Sequence, residues 1–421
     1  MPRRAPSALV AVLALAACAS SDDVREDVAA DTARDVATTD APLDTTSDTA
    51  LDTTPDTDAC QAVALTVTPV RGALVLALDR SASMAHQGRL DVAFEGIERA
   101  LDGRAFDALA VGAELFPASN VAAPACYAPT QVTAVGCGLA PTLQLAPTVL
   151  GSAPMSDPGS VRLALLTAVQ SLGVAVDVSD GTPLYAALVK AYAAARDADA
   201  DRRAVLLVSD GNASCASVAS PSRPGYFDGY CDDWEEPDAV VALIHAAASD
   251  AAKPVATYVL GVVGSASAGE AVGSYTTAPY AMTLALSAYA AAGAPGDLPP
   301  GCDADAAFSL SGAAPAHPCH IDLSAAADFT PTRIAAEVSA LDARAFACRF
   351  QLARPTGASA DAALSVSLAG AGGPVAVRPR SGAGDACADG CWELSGDELH
   401  LLGTACDPGS AALPTVSAAC R

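Results

Sequence analysis

Short apolar runs alternate with helical stretches through much of this 421-residue chain. The apolar runs cover residues 73–78, 108–115, 204–208 and 255–262. Uninterrupted runs of this length are typical of strands that are buried on both faces of a parallel sheet. The helical stretches cover residues 90–101, 160–172, 184–195, 239–252 and 333–345. This order predicts an α/β fold over residues 60–347, with a doubly wound, mainly parallel sheet flanked by helices and long insertions in its connections.

The last part of the chain has a different pattern. From residue 348 onward, apolar and polar residues alternate in short runs, at 363–368 and 398–402. The same 74 residues carry five cysteines. A core this small needs covalent support, and each disulfide adds roughly 2–4 kcal/mol. We therefore predict a small, disulfide-stapled β-rich module at residues 348–421.

The first eighteen residues have the composition of an export signal. Two arginines precede an apolar stretch at 9–17 that is too short to span about 30 Å of hydrocarbon. The segment 15–18, Leu-Ala-Ala-Cys, resembles the bacterial lipobox, in which the cysteine is acylated and becomes the new N-terminus. A plain signal peptide with a chance cysteine is the alternative. We favour a bacterial lipoprotein signal peptide at 1–18, with lipidation at Cys18 anchoring the protein to a membrane of the cell envelope, at the outer membrane or the cell surface.

Residues 19–59 form a strongly acidic segment. They contain twelve acidic residues against two arginines, a net charge of −10, and almost no large apolar side chain. Such a composition does not offset the entropy of ordering, so we expect a disordered Asp- and Thr-rich tether. The whole chain has a formal net charge of −25. Without a visible basic patch, this charge argues against nucleic acid as a partner.

Twelve cysteines remain when Cys18 is set aside, and an even number in an exported chain predicts disulfides. Neighbours in sequence suggest the pairs Cys126–Cys137, Cys215–Cys231 and Cys302–Cys319. Zinc is the alternative for the last four cysteines of the chain. The disulfide candidates are Cys60, Cys126, Cys137, Cys215, Cys231, Cys302, Cys319, Cys348, Cys387, Cys391, Cys406 and Cys420.

Three segments with oxygen-bearing side chains follow the predicted strands. Asp79, Ser81 and Ser83 stand as Asp-x-Ser-x-Ser directly after the run 73–78. Thr182 precedes a proline at the start of a helical stretch, and Asp210 precedes a glycine at the end of another apolar run. Because a parallel sheet gathers ligands at the carboxyl ends of its strands, we expect the three segments to converge.

The side chains in these segments suit a hard cation. Carboxylate and hydroxyl oxygens, without histidine or cysteine, favour Mg²⁺, or Mn²⁺ or Ca²⁺, over Zn²⁺. Few direct carboxylates would keep the ion electrophilic and leave a coordination position open. An acidic side chain from a partner could then complete the coordination shell.

These residues resemble the metal-ion-dependent adhesion site of von Willebrand factor type A domains. Asp79, Ser81 and Ser83 match the Asp-x-Ser-x-Ser element of that family, Thr182 its isolated threonine, and Asp210 the aspartate before glycine. The resemblance covers about residues 61–347. It implies a metal at this edge and a protein partner that contacts it through an exposed carboxylate. The insertion after Asp210 is a departure from the simplest members of the family.

The function that these observations favour is cation-dependent adhesion or protein–protein interaction at the cell surface, without enzymatic activity. One alternative is a structural scaffold in which the cation only orders the loops. A metal-dependent hydrolase is a further alternative, because Ser81 or Ser83 lies beside Asp79 and His86 follows nearby in sequence. The chain lacks a nucleophile elbow and a P-loop, so no residue is assigned a catalytic role.

Overall fold

The computed structural model describes residues 63–118, 138–171, 182–211, 213, 237–264, 281–305, 308, 314–354, 363–370, 372–382, 384–406 and 413–418. Two groups of elements lie in these residues, an α/β part and a β-barrel. The strands of the α/β part are β2 (Gly72–Asp79), β3 (Ala110–Phe116), β4 (Leu145–Val149), β5 (Arg202–Ser209), β6 (Ala256–Gly261) and β7 (Ile321–Asp322). Its helices are α1 (Ala82–Ala85), α2 (Arg89–Asp102), α3 (Val161–Ser171), α4 (Leu184–Asp197), α5 (Pro237–Ala248), α6 (Met282–Gly293) and α7 (Pro331–Ala345).

The six strands form one mixed sheet in the order β4-β3-β2-β5-β6-β7. Strand β2 lies inside the sheet, parallel to β3 on one side and to β5 on the other. Every residue of β2 is buried, as its continuous apolar run predicts. Strand β4 runs antiparallel to β3 and carries a register irregularity opposite Val111 and Ala113.

Alternate side chains of β2 enter two separate apolar cores. Leu76 faces a core that includes Ile97 of α2 and Ile334 of α7. Ala77 faces a second core that includes Leu188 of α4 and Leu286 of α6. The sheet therefore lies between two sets of helices, and its strand ends are fixed from both sides.

Helix α6 is an apolar helix that lies largely inside the protein. Eleven of its twelve residues are buried, and Leu284 is half-buried. Within the described part of the chain, no helix is both long enough and apolar enough to cross a membrane.

A closed barrel of seven strands stands beside the sheet. Its order is β1-β13-β9-β10-β11-β12-β8, and its small core includes Leu65, Leu352, Val366 and Leu399. The strands are β1 (Val63–Pro69), β8 (Arg349–Ala353), β9 (Leu364–Gly370), β10 (Gly373–Pro379), β11 (Cys391–Ser395), β12 (Glu398–Leu402) and β13 (Thr415–Ala418).

The predicted fold class, a doubly wound, mainly parallel sheet with a small C-terminal β-rich module, is wrong. The sheet is mixed, because β4 pairs antiparallel with β3. The β-rich part is a closed barrel, and it takes β1 from residues that precede the sheet in sequence. Thr66 of β1 pairs with Ala353 of β8, and Val63 pairs with Ala418 of β13, so β1 closes the barrel between β8 and β13.

Three disulfides lie in the described residues. The predicted pair Cys302–Cys319 is confirmed, with its Cα atoms 5.0 Å apart. In the barrel, Cys348 pairs with Cys406 and Cys387 with Cys391, at Cα separations of 5.4 and 5.3 Å. These bonds occupy three of the four sulfurs of the zinc alternative. The remaining predictions for cysteines, at Cys18, Cys60, Cys126, Cys137, Cys215, Cys231 and Cys420, lie outside the described residues, as do the signal peptide and the tether.

Candidate metal centre

The carboxyl ends of β2 and β5 form the candidate centre. Parallel pairing aligns Leu78 with Val208, so Asp79 and Ser209 end neighbouring strands at the same edge. Asp210 follows directly. The topology therefore brings the Asp-x-Ser-x-Ser segment and the Asp-Gly segment together, as the sequence predicts.

Asp79 is held by hydrogen bonds on both carboxylate oxygens. The backbone N–H of Ser81 donates to Oδ1 at 2.9 Å, and the Ser209 hydroxyl donates to Oδ2 at 2.6 Å. The residue is only 1% exposed. Burial and the nearby charge of Asp210 raise the pKa of Asp79 to about 7, against the lowering effect of hydrogen bonds from Ser209 and Ser81. The cluster thus carries negative potential that a cation would offset.

The two serines of the motif lie together beside this carboxylate. The hydroxyl oxygens of Ser81 and Ser83 are 3.0 Å apart, and both residues are buried. Ser81 immediately precedes α1, and Ser83 lies within that short helix. Two hydroxyls and one carboxylate therefore meet at the end of one strand.

Thr182 is buried two residues before the start of α4, and its carbonyl accepts from the backbone N–H of Leu184 at 2.8 Å. Helix α4 leads through residues 198–201 into the start of β5. A crossover helix of this kind runs back along the sheet, so its first turn lies toward the carboxyl ends of the strands. The topology therefore places Thr182 toward the edge that carries Asp79 and Asp210.

Arg89 was missed by the sequence analysis, although it lies in the centre of the cluster. Its Nη1 donates to Asp210 Oδ2 and to the carbonyl oxygen of Ser83, both at 3.1 Å. The side chains of Arg89 and Asp210 are 4% and 3% exposed, so this ion pair is almost fully desolvated. In the sequence, Arg89 stands six residues after Ser83 at the start of a helical stretch. That position is equally typical of a charged residue at a solvent-exposed helix end.

Two glycines make room for this arrangement. Gly264 has a φ of +104°, and a Cβ built there would lie 2.7 Å from Cζ of Arg89. Gly211 has a φ of +84°, and a Cβ there would lie 2.9 Å from Cβ of Met282. The N–H of Gly211 also donates to the Ser209 hydroxyl at 2.9 Å, which ties the loop after β5 to Asp79 through Ser209. Side chains at either glycine would strain the cluster.

Other candidates from the sequence lie elsewhere. His86 is exposed on the turn that follows α1. Among the described residues, one group of potential metal-ligating side chains lies close together, at Asp385, Cys387 and Cys391. The two cysteines of this group are joined in a disulfide. The centre at Asp79 is different in kind, because its donors are oxygens alone, and this donor set fits Mg²⁺ or Mn²⁺.

The fold and the site together define an α/β sheet with an oxygen-rich edge, joined to a β-barrel. No family model and no curated protein matches the chain. Among solved structures, the chain is similar to the conserved hypothetical protein BatB from Bacteroides thetaiotaomicron, with 18% identity, a TM-score of 0.29, and coverage of 49% of this chain and 74% of that one.

Two further likenesses involve surface appendages. The vWF domain of the type V pili tip protein Mfa5 from Porphyromonas gingivalis gives 16% identity and a TM-score of 0.24, covering 43% of this chain and 50% of that one. The pilus adhesin SpaC from Lactobacillus rhamnosus GG gives 11% identity and a TM-score of 0.37, covering 84% of this chain and 44% of that one. The structures to which the chain is similar thus include a vWF domain and a pilus adhesin.

Proposed function

We propose that the protein binds one divalent cation, Mg²⁺ or Mn²⁺, at the edge formed by β2 and β5, and through it an acidic group of a protein partner. The observation that carries the proposal is the buried cluster of two carboxylates and two serine hydroxyls around Asp79. Ser81, Ser83 and Thr182 would supply hydroxyl ligands. Asp79 and Asp210 would hold the ion directly or through water.

The charge of the cluster supports an acidic ligand. Asp79 and Asp210 contribute two negative charges when both are ionised, and Arg89 contributes one positive charge through its ion pair with Asp210. A divalent cation added to these three side chains would leave one positive charge in a site with little solvent. An incoming carboxylate would neutralise it, and desolvation strengthens that attraction.

The predicted lipid anchor and acidic tether suggest where in the cell this site would act. If Cys18 is acylated, residues 19–59 would hold the folded part away from the membrane, at the outer membrane or the cell surface. The proposed role there is adhesion or another protein–protein contact. Chemistry on the bound partner is not part of the proposal.

Calorimetric titration of Mg²⁺ and Mn²⁺ into the chain from residue 19 onward tests the cation site. We expect one binding event, accompanied by a rise in melting temperature that follows the ligand concentration. Asp79→Asn should abolish both effects. Asp102→Asn, which removes an exposed carboxylate at the end of α2, should leave both unchanged. Equal affinity in the wild type and Asp79→Asn would refute the assignment.

A second experiment separates partner binding from the scaffold alternative. An immobilised peptide with a single glutamate should retain the protein in Mg²⁺, while the same peptide with glutamine should not. Retention that is lost in EDTA supports recognition through the cation. Cation binding with no retention of either acidic or amide peptides would favour the scaffold, in which the ion orders the loops alone.

A further inference from the structure

A cavity of about 480 Å³ lies at the opposite edge of the sheet, where β5 and β6 begin. It opens between the sheet and the barrel, because its walls include Arg202 and Arg203 of β5, and also Arg349 of β8 and Glu398 of β12. Volumes in this range are typical of sites for small organic molecules. The cation proposal does not use this space.

The polar wall of the cavity is rich in guanidinium groups. Nη1 of Arg202 and Nη1 of Arg349 lie 2.7 and 3.0 Å from the same carboxylate oxygen of Glu398. One carboxylate thus forms ion pairs with two guanidinium groups. Burial and the charge of Arg202 lower the pKa of Arg349, although Glu398 acts in the opposite direction. The Nε atom of Arg349 is buried and has no hydrogen-bond acceptor among the described residues.

Arg203 differs from its two neighbours. It donates to the backbone carbonyl of Ala200, and in the described part of the chain no carboxylate lies within ion-pair distance of it. Its Nε is buried without an acceptor among the same residues. Arg202 and Arg349 join the sheet to the barrel through Glu398, whereas Arg203 interacts at longer range with Asp201, a lining residue whose carboxylate is bound by Arg71. Its positive charge therefore remains available for a ligand.

The remaining wall is mainly apolar. Ala248 at the end of α5, Ala256 of β6 and Phe346 after α7 all line the cavity. Tyr258 also lines it and donates its hydroxyl to Asp297 at 2.6 Å. A ligand here would contact both charged side chains and hydrocarbon.

We propose that this cavity binds a small organic carboxylate with a compact apolar body, held by Arg203 and packed against Ala248 and Ala292 on the same face of the sheet. A planar guanidinium matches a carboxylate through paired N–H donors, which favours this anion over an uncharged molecule of equal size. The apolar wall favours an organic acid over an inorganic anion. The site is independent of the cation at the other edge of the sheet.

Hexanoate, hexan-1-ol and inorganic phosphate are the probes that test this site, in calorimetric titrations of the full folded chain in EDTA. We expect hexanoate to bind with one site per chain, and the alcohol and phosphate to bind at least about tenfold more weakly. The proposal is overturned if hexanoate does not bind at concentrations up to about 10 mM, because a dissociation constant above that value is too weak for a specific binding site. The proposal is also overturned if phosphate binds as tightly as hexanoate or displaces it at equal concentration, because the site would then recognise only the negative charge.

Two variants test whether hexanoate binds in this cavity. Arg203→Gln removes the guanidinium that would bind the carboxylate and should weaken hexanoate binding about tenfold or more, with the melting temperature unchanged. Ala248→Leu fills the apolar wall and should weaken it without any change in charge. Arg333→Gln removes the same charge from an exposed pair on α7 and is the matched control. Hexanoate binding that is equal in all three variants would place it elsewhere and refute the assignment.

Discussion

At the residue scale, Arg89 decides how the charge of the candidate centre is balanced. It links Asp210 to the carbonyl of Ser83 inside the protein, and Gly264 leaves the space that its guanidinium fills. A buried ion pair adds little stability relative to apolar residues, but removing one partner leaves a costly unpaired charge. The role of Arg89 is therefore to hold Asp210 in place without saturating the cluster.

Arg89→Met tests this role. In EDTA we expect the free energy of unfolding to fall by about 3 kcal/mol, because the buried carboxylate of Asp210 loses its ion pair with Arg89. Saturating Mg²⁺ should recover part of the loss, since the cation supplies positive charge at the same place. Urea titrations with and without Mg²⁺ measure both values.

Arg99→Met is the control for the Arg89 variant, because Arg99 forms an exposed pair with Glu95 on the same helix. Its effect should be below about 1 kcal/mol with or without the cation. If Mg²⁺ leaves the loss in Arg89→Met unchanged, the cation does not bind beside Asp210.

His320 gives a pH dependence of stability at a second single residue. Both of its ring nitrogens are buried without hydrogen-bond partners in the described residues, and burial lowers its pKa to about 4 against the opposing charge of Asp322. The unfolded histidine titrates near 6.5. Because the folded ring stays neutral, its contribution to stability is complete above about pH 6.5 and is lost as the pH falls toward 4.

His320→Gln should remove this component of the pH profile. Between pH 7 and pH 4.5, the wild type should lose up to roughly 3 kcal/mol more of its unfolding free energy than the variant. Urea titrations at both pH values give the difference. His245→Gln, on the exposed face of α5, is the matched control, and parallel profiles for His320→Gln and the wild type would contradict the expectation.

At the scale of elements, β3 and α4 are joined by a buried ion pair. Glu114 of β3 is fully buried, and Nζ of Lys190 on α4 lies 2.9 and 2.8 Å from its two carboxylate oxygens. The same ammonium donates to the carbonyls of Ala140 and Thr142, at 2.6 and 2.9 Å. Burial nevertheless raises the pKa of Glu114 to about 7, because desolvation outweighs the lysine.

Lys190→Met should therefore destabilise the protein by about 1–3 kcal/mol at neutral pH, because Glu114 takes up a proton and remains in the core as an acid without its lysine donor. Glu114→Gln should then cost less in this variant than in the wild type, and a double-mutant cycle in urea measures the coupling. The other lysine, Lys253, contacts a carbonyl on the surface and supplies the control Lys253→Met. Additive effects of the Glu114 and Lys190 changes would show that the pair is not coupled.

The elements that carry the candidate site were the most predictable from sequence. Strands β2 and β5 have continuous apolar runs that end in acidic motifs, and their burial follows directly from those runs. Strand β4 was missed because it is short, mostly exposed, and contains Pro147. A contact between residues distant in sequence fixes the position of β4: the Gln144 side chain accepts a hydrogen bond from the backbone N–H of Leu115 at 2.8 Å.

At the scale of the whole molecule, β1 ties the two ends of the folded chain together. Val63 pairs with Ala418 near the C-terminus, and Thr68 pairs with Gln351 of β8. Mostly exposed side chains give β1 a weak local pattern, and its partners lie hundreds of residues away. Local periodicity does not specify such pairing, which is why the sequence indicated an appended module where the structure has a closed barrel.

A chain that begins at residue 71 tests the role of β1. Removing it leaves one edge of β8 and one edge of β13 unpaired, so the barrel should lose its closure and unfold at lower temperature. The sheet should keep its fold, because its two apolar cores contain no β1 residue. Hydrogen exchange should therefore rise in β8–β13 and stay slow in β2 and β5. Slow exchange retained throughout the barrel would contradict this account of its closure.

The location of a bound cation is the most direct test of the proposed function. Crystals of the protein soaked in Mn²⁺ would give anomalous difference density at any bound ion. We expect one peak within about 2.0–2.3 Å of the hydroxyl oxygens of Ser81 and Ser83, beside Asp79 and Asp210. A peak found only elsewhere, or no peak at this edge at saturating Mn²⁺, would contradict a cation-dependent function.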